Sequence, residues 1–204
     1  MQETKIQFSP HEIELLKNPD WILTKNSVMQ KMAEGMGALS ARMQEAIGCS
    51  SRLPREVVHS NPKLSRGENY RGLPYLMLDY PRIFGKEDIL AIRTFFWWGH
   101  FCSITLHVRG VYRIPVREQI SFVGTELAQH EFYASTGGDE WNHDVTSDDY
   151  ERVTDLSSAE FVTRLFHGPF NKLSAKVELT QWKEMEEKLF RLFSVLLKMM
   201  SVSG

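Results

Sequence analysis

The order of its elements predicts an α+β fold for this chain: a single domain in which an antiparallel or mixed central sheet is packed by N-terminal and C-terminal helices. Three observations carry that prediction. Helical signals fill residues 1–48, strand signals dominate a sheet region with inserted helices over 73–179, and a wide apolar helical stripe closes the chain over 180–200. The stretch from Leu73 to Arg109 holds the densest apolar and aromatic content, the composition expected at the centre of a sheet. At 204 residues, 42% of them apolar, the chain can bury about 70% of its unfolded surface in one core without a disulfide or metal staple.

Taken in order, Ser9-Pro10-His11-Glu12 offers serine as N-cap, proline in the first turn and glutamate three residues after the cap, so a short helix runs to about Lys17. Asn18-Pro19-Asp20 restarts the chain into a longer helix, Trp21 to Ile47, that stops at Gly48. Along it Met29, Met32, Met36, Leu39, Met43 and Ala46 recur at spacings of three and four. Such a seam suits either packing across the sheet or a homodimer through helix 21–47. Residues 49–72 read as a basic loop, without periodicity and broken by Pro54, Pro62, Gly67 and Gly72; Arg52, Arg55, Lys63, Arg66 and Arg71 face only Glu56 and Glu68.

Leu73 to Tyr80 is apolar on both faces until Asp79 interrupts, as expected of a strand inside a sheet. Pro81 to Lys86 reads as a connection. The run Phe95-Phe96-Trp97-Trp98 favours a strand from about Ala91, bulged or bent at Gly99, over a helix across 87–98. His100 to Arg109 alternates, with Cys102, Ile104, Leu106 and Val108 on one face and Phe101, Ser103, Thr105, His107 and Arg109 on the other. Pro115 opens a helix striped by Val116, Ile120, Val123 and Leu127. Glu131 to Asp144 reads as two short strands joined by a two-residue turn at Gly137-Gly138, a register that sets Glu131 across from Asp144. Ser157-Ser-Ala-Glu160 is a capping box for a helix through Phe166 that ends at Gly168-Pro169. Lys172 to Leu179 alternates strictly, Leu173, Ala175, Val177 and Leu179 inward and Lys172, Ser174, Lys176 and Glu178 outward, which suits an edge or one-sided strand. Thr180 caps a final helix whose stripe is Trp182, Met185, Leu189, Leu192, Phe193, Leu196 and Met200, and Ser201 to Gly204 reads as a frayed tail.

Several function classes receive no support. Cys49 and Cys102 are distant in sequence and form neither a disulfide framework nor a zinc set. The N-terminus lacks the basic and apolar regions of a signal peptide, and no run approaches the ~18 apolar residues of a membrane span, so a soluble, cytoplasmic protein with no membrane partner is expected. A net charge of −2 and a pI near 6.4 give no global attraction to nucleic acid. Phosphate-cradling glycine loops, nucleophile elbows and metal-ligand spacings are not found, and no cofactor is named by the sequence.

Two sets of residues remain as candidates. Arg66 and Arg71 from the basic loop, with His107 and Arg109 from the mixed strand face, suit carboxylate or phosphate, because arginine presents a planar fork of donors. Glu131 and Asp144, repelling one another across a hairpin, with His107 and His143, suit acid–base or metal-assisted hydrolysis. The expected function is a non-catalytic binding or interaction module for an anionic small molecule or a protein partner; the alternative is a hydrolase-like enzyme using the acidic hairpin 131–144. An acidic run from Asp139 to Asp155 is expected to pair with the basic loop across the fold or across a dimer.

Overall fold

The computed structural model describes residues 6–153, 162–163 and 165–201, and most of the helix expected from Ser157, like the tail after Ser201, lies outside them. The described helices are α1 (Pro10–Lys17), α2 (Pro19–Gly48), α3 (Arg55–Val58), α4 (Arg113–Gln129) and α5 (Met185–Lys198). Seven strands, β1 (Lys63–Tyr70), β2 (Leu73–Phe84), β3 (Ile89–Trp97), β4 (Phe101–Arg109), β5 (Tyr133–Ser135), β6 (Tyr150–Arg152) and β7 (Phe170–Glu178), form one antiparallel sheet in the order β1-β2-β3-β4-β7-β5-β6. The α+β prediction holds, with helices at both ends of the chain against the sheet.

The helices form where their caps were read. Ser9 and Glu12 complete a reciprocal capping box on α1, and the Asn18 side chain accepts from the Asp20 amide to start α2. Met29, Met36, Leu39 and Met43 are buried in the chain's own core with Ile47, so this part of the seam faces the sheet. Helix α4 buries the expected stripe of Val116, Ile120, Val123 and Leu127. The last helix differs at its start: Leu179–Gln181 is a 3-10 turn, α5 begins at Met185, and Trp182 lies outside the buried stripe, exposed to solvent. Leu76, Leu78, Leu90, Ile92, Ile104, Leu106, Leu173 and Ala175 meet this helical layer, which makes one apolar core on one face of the sheet.

Residues 49–72 are not a loop. They hold α3 and the edge strand β1, whose polar sequence hides its pairing because little of it is buried. Arg71 and Gly72 both have positive φ and close β1 onto β2 with a two-residue turn of the primed kind, Tyr70 pairing with Leu73. Strand β2 also continues through Pro81 to Phe84. Proline fits there because pairing with β1 ends at Asp79 and the register with β3 slips between Asp79 and Arg82, so no ladder donor is missed. Within 87–98 the chain is strand over Ile89–Trp97, not helix, and Gly99 sits in the turn after it with φ of 75° rather than in a bulge.

The largest departure is at residues 131–144. Strand β5 pairs with β6 and β7, and the chain between β5 and β6 is an irregular loop, so Glu131 and Asp144 do not face one another. Local hydrogen bonding explains it. Asp139 accepts from the Trp141 amide, Asn142 from the Asp144 amide, and Asp144 from the Thr146 amide, three successive side-chain turns that compete with a strand ladder. Gly138 has φ of 75° and its Cα lies against the Asp149 carboxylate, where a β-carbon would collide. Strand β7 is internal rather than an edge: it lies between β4 and β5, and its outward-pointing Lys172 and Ser174 are buried beneath this loop.

Candidate polar site on the loop-covered sheet face

The second face of the sheet is built by the residues that alternate with the apolar core. Asp79 on β2, Arg93 on β3, Thr105 and His107 on β4 and Lys172 and Ser174 on β7 all point away from the helices, and all are buried. Register brings them together, since Asp79 pairs with Arg93, Arg93 with Thr105, Thr105 with Ser174, and His107 with both Ala91 and Lys172. The loop of residues 136–149 covers this row and adds Glu140, Asn142, His143 and Asp144.

One end of the face is aromatic. Phe95, Trp97, Phe101 and Val145 form a second small core with Tyr70, Tyr75 and Tyr150 packed against it. The other end is ionic. Arg93 grips both carboxylate oxygens of Asp79, at 2.7 and 3.1 Å, and turns Nη1 to His143 Nε2 at 3.2 Å. Because guanidinium nitrogens only donate, His143 Nε2 accepts and its proton sits on Nδ1. By the same reasoning His107 donates from Nε2 to Glu140 Oε1 at 2.9 Å, while Arg109 donates to the other Glu140 oxygen at 3.3 Å.

Electrostatics follow from this crowding. Burial, then the nearby Lys172 and Arg93, holds both histidines neutral, His107 at about 3 and His143 at about 2, and for His107 these effects with Arg109 outweigh the adjoining Glu140 carboxylate. Lys172 is 2% exposed, and its Nζ donates to two backbone carbonyls of the covering loop, Glu140 O at 3.2 Å and Asn142 O. Among the described residues no carboxylate forms an ion pair with it. Burial and then Arg93 pull the amine down to about 7, against weaker support from Asp139, Glu140 and Asp149. Tyr150, whose hydroxyl donates to Asn142 O, is pushed up by burial.

A partly open recess lies over Ala91, the smallest side chain in the row, walled by Phe84, Arg93, Thr105, His107, His143 and Lys172. It holds about 210 Å³ of space counting open solvent, but is too narrow to seat a water. Phe84 and Trp141, partly exposed and 6.4 Å apart ring to ring, stand at its margin.

Of the residues singled out from sequence, His107, Arg109, His143, Asp144 and Arg71 reach this face. Arg71 leaves the β1–β2 turn to bond Asp144 at 2.6 Å and Asn142 at 3.2 Å, one contact of the expected kind between the basic and acidic segments. Arg66 does not reach it: exposed on β1, it pairs with Glu68. Glu131 is exposed and pairs with Arg152. The acid pair proposed for hydrolysis is therefore not formed. Asp79, Arg93, Glu140 and Lys172 were missed. Folding β2 onto β3 about Lys86 would have placed Asp79, the one acid of the two apolar strands, opposite Arg93. Among the described residues no group of three or more histidine, cysteine, aspartate or glutamate side chains is arranged to hold a metal, and no helix is long and apolar enough to cross a membrane. Comparison with protein-family models, curated proteins and solved structures finds no match for this chain.

Proposed function

We propose that this protein is a binding module for a small organic anion, received on the polar face of the sheet beneath residues 136–149. One observation carries the reading: Lys172 is a buried amine whose partners among the described residues are two carbonyls and no carboxylate. The other cations nearby, Arg93 and Arg109, each have an acid, so among the described residues of this face the positive charge without a direct counter-charge is that of Lys172. Burying such a charge is costly, and an anion seated against it would supply the missing partner. The guanidinium of Arg109, partly exposed and bound to Glu140 through one nitrogen, adds donors of the right kind for a carboxylate. Entry requires residues 139–145 to move away from Lys172, because the recess as it stands is too narrow.

The reading is tested by thermal unfolding with a panel of carboxylates and inorganic phosphate at pH 6 and pH 9. Binding to the charged amine stabilises more at pH 6, and a saturating ligand at a hundred times its Kd adds about 2.7 kcal/mol. Equal shifts at both pH values, no shift with any anion, or unchanged shifts in Lys172→Met contradict it.

Docking of a protein partner has separate support at the N-terminus. Helix α1 buries no residue, and Leu16, Trp21, Ile22 and Leu23 are exposed together with Ile6 and Phe8. A homodimer through helix 21–47 would use this end, since the seam residues Met29, Met36, Leu39 and Met43 face the chain's own core. Sedimentation of the wild type against Trp21→Ser with Leu23→Ser distinguishes it: a concentration-dependent dimer lost in the variant supports the contact, and a monomer throughout removes it.

A further inference from the structure

Resting on the anion-binding reading, and deepening it, we infer that Lys172 captures a 2-oxo carboxylate covalently and reversibly, as an imine on Nζ. The chemistry needs four things together: an amine shielded from water, a second cation beside it, donors for the carboxylate, and space at the amine once its cover lifts. Lys172 is buried on β7 directly across from His107, with Arg93 on the neighbouring position of the face. A lysine used only as a salt-bridge partner would meet a carboxylate; this one is held by the carbonyls of Glu140 and Asn142. Both acceptors belong to the covering loop, so lifting that loop frees the amine and widens the narrow recess that Ala91 leaves beside it. Arg93 lines the recess with Lys172 and has guanidinium hydrogens beyond those given to Asp79 and His143 for the carboxylate of the incoming acid, with Arg109 two residues beyond His107 on the neighbouring strand.

The step balances without an oxidant or reductant. Neutral Nζ attacks the keto carbon; the C–N bond forms as the C–O π pair moves to oxygen, which takes a proton. Loss of a proton from nitrogen gives the carbinolamine, and protonation of its hydroxyl releases water as the nitrogen pair closes the C=N bond. In sum, amine, ketone and one proton from solvent give a protonated imine and water. An amine with a pKa of about 7 supplies the neutral nucleophile at physiological pH, roughly a thousandfold more of it than a solvent-exposed lysine of ordinary pKa. The product is again a cation, and the ligand's carboxylate becomes its counter-charge.

The experiment incubates the full chain with pyruvate and sodium cyanoborohydride at pH 7, maps the reduced adduct by peptide mass spectrometry, and follows thermal unfolding with lactate, an anion without a keto group. The expected result is adduct at Lys172 at least about tenfold faster than the average of the other lysines, with lactate stabilising the protein but leaving no adduct. Lys172→Arg, which keeps the charge, loses the adduct and keeps the lactate shift. A lactate shift with no preference for Lys172 in the pyruvate reaction overturns the imine and leaves the anion site. Preferred labelling without a lactate shift keeps the imine and overturns anion recognition. Neither signal overturns both.

Discussion

The two faces of the sheet are equally buried and differently made. On β3 and β4 the residues facing the helices, Leu90, Ile92, Phe96, Ile104 and Leu106, are apolar but for Thr94 and are sealed by amphipathic helices. Their alternates, Arg93, Thr105 and His107, are polar, yet just as hidden, under a loop. The helix face is held by area removed from water, which is insensitive to pH and direction. The loop face is held by specific donors and acceptors, Arg93 on Asp79, His107 and Arg109 on Glu140, Lys172 on two carbonyls, each of which costs free energy if it loses its partner. Polar groups sheltered this way make stability responsive to protons and to ligands, which an apolar layer does not.

The comparison breaks first at its strongest ion pair. Arg93→Ala leaves Asp79 buried without a partner and also frees His143, and is expected to cost about 3–5 kcal/mol in urea unfolding at pH 7. The matched change on the helix face, Ile104→Ala, is expected to cost about 2–5 kcal/mol through lost burial and the cavity left behind. Its cost stays the same from pH 6 to pH 9, whereas the pH profile of the Arg93 variant changes because Arg93 depresses Lys172, His107 and His143. A pH-independent loss at both sites would erase the distinction between the faces.

Proton linkage sharpens it further. Below 6.5 the unfolded chain protonates two histidines that the folded chain keeps neutral to about 3 and 2, so stability falls as pH drops from 6.5. Between about 7 and 10.5 the unfolded chain holds a proton that folded Lys172 has released, so this group makes stability rise with pH across that window. Above 10 the raised Tyr150 works the other way, since the unfolded chain ionises first. Denaturant midpoints should therefore rise between pH 7 and pH 9, and Lys172→Met should flatten that rise. The smallest effect is expected at Arg66→Ala, within about 0.5 kcal/mol, because its pair with Glu68 is exposed.

The same contrast explains what could be read from the residues alone. Helix caps at Ser9 and Asn18 and the stripe of α4 are local chemistry, and the alternation of β4 and β7 reports a face fully packed against helices. The loop face left a weaker trace. Lys172, Ser174 and Lys176 look like a solvent face because period two separates the two sides of a strand but cannot say what covers the second. Gly137-Gly138, both with positive φ, looked like the hairpin turn but join no pair of strands directly, while the turn that closes a hairpin is Arg71-Gly72, where arginine takes a conformation that its residue type does not announce. His107 and Arg109 were found because they stand on an apolar strand, and His143 because it stands in the supposed acidic hairpin; Glu140 and Lys172 were not, because each sits among residues that look exposed.

The central claim is that Lys172 is a buried amine awaiting an anion, and nuclear magnetic resonance of its side chain tests it most directly. With lysine labelled at Cε, the Lys172 signal should titrate with a midpoint near 7 in the free protein, and lactate should move that midpoint upward as the charged form gains a partner. A midpoint at the ordinary value of 10.5, or one that lactate leaves in place, would contradict the account.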